Sequence, residues 1–218
     1  MSAIPSIREA GKELAAALGA TSLSLDSVSL PLVLHPPKRL THQELASFCA
    51  ANEFLRIEHT AEGDLIVMTP AGGKTGNKEG YLFRELDLWV EREGKGIAFN
   101  SNTGFLLPDG SMRLPDAAWL SSEKWQALTD KQQEGFVPAC PEFVVELRSP
   151  SDRVSQVEGR MELWIEQGAQ LGWLIDPQRR LAMIYRSEQE PQTLLAPEYL
   201  EGSGPVEGFR LMMARFWS

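Results

Sequence analysis

A chain of 218 residues that is 43% hydrophobic, with six Trp and nine Phe, has enough apolar material to build a sizeable core, either as one domain or as one domain with an appendage. The formal charge of −9 argues against a broad basic face for nucleic acid and leaves room only for a local basic groove. No apolar run approaches a membrane span and no signal peptide is visible. Two distant cysteines, Cys49 and Cys140, form neither a disulfide framework nor a ligand cluster, so a reduced, cytoplasmic setting is expected.

Residues 1–20 carry Ile7, Leu14, Ala15 and Leu18 near one helical face, which predicts a short amphipathic helix. "TSLSLDSVSLPLVLHPPK" then alternates like a strand until Pro36 and Pro37 break it. Residues 1–39 therefore read as an N-terminal helix and extended arm, with the main domain over residues 40–218. "THQELASFCAANE" opens that domain with Thr41 and Glu44 at capping-box spacing. "FLRIEHTAEGDLIVMTP" predicts strand, turn and strand. "AGGKTGNKEG" reads as a Gly-rich loop leading into a helix over residues 77–93, which Gly94 and Gly96 end.

Further on, "GIAFNSNTGFLLPDGSMRLPDAAWLS" reads as strand, strand, turn and strand, and "SEKWQAL" as a short helix capped by Ser121 or Ser122. "FVVEL" is apolar enough to be buried on both faces. A helix over residues 154–167 and the strand "LGWLID" follow it, which makes a βαβ-like unit over residues 142–176. "RLAMIYR" and "QTLL" predict a strand pair at a sheet edge, and "GFRLMMARFW" a terminal strand or short helix. The pattern implies a mixed sheet flanked by helices, hence an α+β fold with an α/β-like core.

Two acidic residues interrupt apolar segments. Asp116 follows Pro115 and enters "AAWL"; taken alone it is a strand-entry aspartate capping a turn. Glu146 lies inside "FVVELRS", on the same strand face as Arg148. It is either half of a strand-internal ion pair with Arg148 or a ligand for a hard divalent cation facing Asp116. Spacing alone does not separate these readings.

The segments "GFLLPDGSMRLPDAAWLSSEKW", "PEFVVELRSPSDR", "MELWIEQGAQLGWLIDPQRR" and "VEGFRL" occur in this order and together resemble the Uma2 family, grouped with the PD-(D/E)xK, restriction-endonuclease-like nucleases. The resemblance runs from about Leu40 to Phe216. It implies a mixed sheet flanked by helices, Mg2+ (or Mn2+) held by Asp116 and Glu146, and a nearby basic residue serving the attacking water. It also implies phosphodiester hydrolysis, with DNA as the substrate, and a homodimer as one arrangement. The superfamily pattern puts lysine two residues after the glutamate, where this chain has Arg148. Uma2-like sequences carry it on the following helix, where this chain has Arg160. Arginine clamps phosphate well but does not surrender its proton, so the alternative is a catalytically silent domain that binds nucleic acid or a protein partner.

Other candidates have simpler roles. Asp152 is expected to cap the helix after it, Asp176 to close a turn, and Ser149 and Ser151 to cap or support the site. Lys74, Asn77 and Lys78 open a helix and could meet a phosphate, and Glu79 could supply a third acid. His35, His42 and His59 show no ligand spacing. Trp89, Trp119, Trp164 and Trp173 read as core.

Overall fold

A computed structural model describes residues 31–52, 55–68 and 70–218. The expected N-terminal helix, and the alternating segment as far as residue 30, lie outside them. In chain order the elements are β1 (Leu32–Leu34), α1 (His42–Ala51), β2 (Arg56–His59), β3 (Leu65–Met68), α2 (Gly73–Glu93), β4 (Ile97–Asn100), β5 (Phe105–Leu106), β6 (Met112–Arg113) and β7 (Ala117–Leu120). Then come α3 (Ser122–Gln126), α4 (Asp130–Glu134), β8 (Phe143–Leu147), α5 (Val154–Glu166), β9 (Leu171–Asp176), β10 (Leu181–Arg186), β11 (Gln189–Leu195), β12 (Tyr199–Glu201) and β13 (Arg210–Met212). None of the described helices is long and apolar enough to cross a membrane. Two compact units result: one comprises residues up to Pro70 with Gly110–Met112, the other Ala71–Asp109 with Arg113–Ser218.

In the first unit, β3 pairs antiparallel with both β1 and β2. The expected capping box forms on α1: the Glu44 N–H donates to Thr41 Oγ1 at 3.2 Å, and the Thr41 N–H to Glu44 Oε2 at 2.8 Å. The Lys38 ammonium and the Thr41 backbone and hydroxyl hold the Glu44 carboxyl down at about 2. The turn between β2 and β3 closes through Gly63, whose φ of +104° suits glycine.

The second unit is built on a six-stranded sheet of order β11-β10-β9-β8-β7-β4. Only β8 and β9 are parallel, and α5 forms the crossover between them. Alternate residues feed two separate cores. Ala117, Trp119, Phe143, Val145, Trp173 and Ile175 pack with Leu82, Leu86 and Trp89 of α2. Ala118, Leu120, Val144 and Leu174 pack with Val157, Met161 and Trp164 of α5. Helical cover on both faces is why β8 and β9 read as unbroken apolar runs and are buried throughout. On the α2 side, Trp173 stacks on Phe209 with centroids 5.5 Å apart, and Phe143 meets Trp173 edge-on.

The α+β expectation holds, with three local differences. Helix α2 starts at Gly73 rather than residue 77, so the Gly-rich segment is helical. Each glycine there costs about 1 kcal/mol relative to alanine, and the long apolar face carrying Tyr81, Leu82, Leu86 and Trp89 outweighs it. Strand β12 and helix α4 were not expected. β12 is three residues long and exists only by pairing with β13, and α4 is one turn held by a Thr129–Gln132 capping box.

The β4 edge joins β7 through a tight approach at Gly96. This residue has φ +70°, and a Cβ on it would collide with the Trp119 indole and the Leu120 carbonyl. Its N–H donates to Ser122 Oγ at 2.8 Å. Gly96→Ala is therefore expected to cost about 2–4 kcal/mol through positive-φ strain and steric overlap, measured as a lower denaturant midpoint with an unchanged slope.

Candidate functional site

A charged group in the centre of a sheet covered on both faces must find its partners inside the protein. β7 and β8 pair with Ala117 opposite Val145. One step further along this antiparallel register, Asp116 stands opposite Glu146. Asp116 is 5% exposed and Glu146 2%. The sequence thus brings both acids to one end of the sheet, where the parallel strands β8 and β9 finish. In open α/β sheets, ligand sites form at such carboxyl ends.

Each acid is held differently. Asp116 extends the ladder by donating its N–H to the Val145 carbonyl at 3.1 Å. Its Oδ2 accepts the Leu147 N–H at 2.7 Å, so the carboxylate closes the ladder that the proline before it helps to end. Glu146 points towards α5, with Val144. Trp164 Nε1 donates to Glu146 Oε1 at 2.9 Å, and Arg160 Nη2 donates to Glu146 Oε2 at 2.5 Å. Arg160 and Trp164 are four residues apart on α5, one turn, which brings both donors over a single carboxylate.

Arg148 is turned elsewhere. Its Nη1 lies 3.0 Å from Asp176 Oδ2, and its Nε and Nη2 donate to the Asp152 carbonyl at 3.2 and 3.1 Å. The strand-internal pairing with Glu146 is thus replaced by a bridge to the next strand. The parallel register sets Leu147 beside Ile175, so Arg148 follows beside Asp176. Asp176 is fully buried, and its Oδ1 accepts the Gln178 and Arg179 N–H groups, the turn role expected of it. Arg179 Nε adds a bond to Oδ2 at 2.7 Å. Burial would raise the Asp176 carboxyl, but the Arg179 backbone and side chain and the Arg148 guanidinium outweigh it and hold it below its ordinary value.

The remaining candidates make the following contacts. Asp152 does not cap α5, whose N-cap is Arg153; its Oδ2 accepts the Ser149 N–H at 2.8 Å and closes the loop before the helix. The Ser149 and Ser151 hydroxyls are 2.9 Å apart. Glu79 Oε2 accepts from the Ser101 hydroxyl at 3.3 Å. Lys78 Nζ donates to the Phe216 carbonyl at 2.9 Å, and burial lowers its ammonium. Burial pushes the Cys49 thiol up to about 11 and that of Cys140 up to about 12, so neither is a ready nucleophile. Sequence reasoning missed the hydrogen bond from Trp164; its spacing of one turn from Arg160 was the available signal.

The donor set suits a hard divalent cation. Two carboxylates stand at opposed ladder positions, both withdrawn from water, and carboxylate oxygen is the donor such an ion takes. Among the described residues no group of three or more His, Cys, Asp and Glu forms a ligand cluster. Asp116 and Glu146 are the residues that would hold such an ion.

Comparison with known proteins gives two findings. The model of a family described as "Uma2: Putative restriction endonuclease" matches residues 42–214. A solved structure, described as that of "a putative nuclease belonging to DUF820 from Anabaena variabilis", superposes with a TM-score of 0.61 at 18% identity, covering 74% of this chain and 89% of that one. At that identity the likeness speaks to fold alone, and it agrees with the expected restriction-endonuclease-like fold. No curated protein matches the chain.

Trp164→Phe keeps the apolar bulk and removes the N–H that Glu146 Oε1 accepts. It is expected to destabilise the protein by about 1–3 kcal/mol, read by urea unfolding. Asp176→Asn is expected to cost about 3 kcal/mol at neutral pH through loss of a buried ion pair. A carboxyl lowered by folding contributes stability that is full above its unfolded value, about 4, and is lost as pH falls below it. The gap between Asp176→Asn and wild type in pH-dependent unfolding should therefore close under acid.

Proposed function

Because the chain belongs to the Uma2 family, we propose that it is a metal-dependent nuclease-like domain that hydrolyses phosphodiester bonds, with DNA as its substrate class. The observation that carries this reading is that Asp116 and Glu146, two buried carboxylates, stand opposite each other on adjacent strands, with the Arg160 guanidinium reaching Glu146 from α5. Bound Mg2+ or Mn2+ supplies an acidified water and neutralises charge building on a phosphoryl oxygen. The rest falls to the chain's own groups. Asp116 and Glu146 offer oxygens that the Leu147 N–H and the Trp164 indole orient. Arg160 is set to grip a phosphate oxygen but not to act as a base. The net charge of −9 confines contact with a polyanion to this locality.

The alternative is a silent nuclease-like domain that binds nucleic acid or a protein partner. It is favoured by arginine, Arg148 and Arg160, at both positions where the superfamily and family patterns carry lysine. Supercoiled plasmid incubated with the protein and Mn2+ distinguishes the two. The enzyme reading expects nicking that falls at least about a hundredfold in Asp116→Ala and Glu146→Ala. Nicking that survives both variants removes this site from the reaction, and no nicking by the wild type favours the silent domain. Arg160→Lys should raise the nicking rate if the missing lysine is what limits turnover.

A further inference from the structure

Arg148, Arg160 and Arg179 each bond to a buried carboxylate, which cancels their charge. Cations are held differently where α2 meets the segment after β13. Tyr81 donates its hydroxyl to the Met212 carbonyl at 3.3 Å, and its ring lies 5.8 Å from that of Phe216. Two guanidiniums lie over the Tyr81 ring, Arg215 at 4.7 Å and Arg84 at 5.1 Å from its centroid. Lys78 Nζ reaches the Phe216 carbonyl, and Lys74, one turn earlier, is near enough to disfavour the Lys78 charge. Four cations thus gather around one buried tyrosine. Arg84 lies three turns into α2 and Arg215 comes from another segment, so the group is a lateral face and not a helix end.

The charge of this group is largely uncancelled. Glu85 pairs with Arg84. Among the described residues no carboxylate pairs with Lys74, Lys78 or Arg215. A tyrosine ring attracts a guanidinium without neutralising it, so the charge stays available to an outside anion. Lys74, Arg84 and Arg215 are exposed and Lys78 is half-buried. The patch also adjoins the acid end of the sheet. Glu79, next to Lys78, accepts from Ser101, and Asn100 pairs with Ala117, which sets Ser101 one step on, opposite Asp116.

We propose that Lys74, Lys78, Arg84 and Arg215 form a docking patch for the phosphate backbone of duplex DNA, which holds the substrate independently of any metal at the acid pair. The choice of ligand rests on the nuclease reading above; the patch itself rests on the placement of its charges. Like charges crowded on one face repel each other, and a bound polyanion relieves that repulsion. Duplex DNA carries one negative charge per about 1.7 Å of its axis, dense enough to meet several of these cations at once. Such contacts fix position and carry no sequence information. The Tyr81 ring is buried beneath its guanidiniums and offers no face on which a base could stack, so the patch grips backbone alone.

Fluorescence anisotropy of a labelled short duplex, titrated with the full chain in EDTA over a series of salt concentrations, tests this. For wild type, log affinity is expected to fall with log salt at a slope of about −3 to −4, as four phosphate contacts require. Lys74→Gln and Arg215→Gln should each weaken binding and reduce that slope by about 1. Arg92→Gln removes the same charge from the last turn of α2 and should change neither quantity. Asp116→Ala should bind duplex no more weakly than wild type. Absence of duplex binding at low salt, or a loss in Arg92→Gln equal to that in Lys74→Gln, overturns the patch. Competition by polyglutamate as effective as that by unlabelled duplex also overturns it and assigns the cations to an acidic protein segment. None of these results touches the nuclease reading, which the plasmid assay decides. Duplex bound through the patch without nicking upholds the patch and favours the silent domain. Lys74 is exposed and holds no hydrogen bond or ion pair among the described residues, so Lys74→Gln decides the matter should Arg215→Gln fail to fold.

Discussion

The hydrogen-bonded ion pair between Glu146 and Arg160 is the contact on which the rest of the site depends. A carboxylate in the central strand of a sheet with helices on both faces is intolerable alone. α5 makes it tolerable by bringing a guanidinium and an indole to its two oxygens from positions one turn apart. That demand couples three layers of the structure. The β8 register decides which face Glu146 takes, the α5 crossover decides what meets it there, and the β7 ladder sets Asp116 opposite.

The parts of this arrangement differ in how plainly they could be read from the chain. Asp116 and Glu146 stood out because each interrupts an apolar run, and a carboxylate in such a run needs a reason. Arg160 entered through the family resemblance; on periodicity alone it is an ordinary helix residue. The role of Trp164 was hidden because a tryptophan at core spacing looks like packing, and nothing local shows that its N–H is aimed at a carboxylate. Arg148 shows the limit most clearly. Its nearest acid on the same strand face is Glu146, yet it binds Asp176, whose nearness follows only from the parallel pairing of β8 with β9. The helical start at Gly73 was masked for another reason: local glycine content opposes helix, and the tertiary face that overrides it begins about two turns later, at Tyr81.

The two arginines also show how one residue type serves opposite ends. Arg148 and Arg179 close on Asp176 and lock the ends of β8 and β9 to the turn that follows. Arg160 faces the neighbouring acid from a helix surface and keeps part of its side chain in water. A rigid base thus lies beside a partly exposed guanidinium, on one end of one sheet. The arginines there owe their position to buried carboxylates.

Alternation along β8 gives Glu146 a second consequence. Its neighbours Val145 and Leu147 belong to the opposite core, among Trp173, Ile175 and the α2 residues. A slip of one residue between β8 and its neighbours would send the glutamate into that aromatic interior, away from every donor on α5. Apolar strands of this kind are otherwise nearly degenerate in how they can align. The acid therefore acts as a key for strand alignment, making misaligned sheets unaffordable during folding long before any ligand arrives.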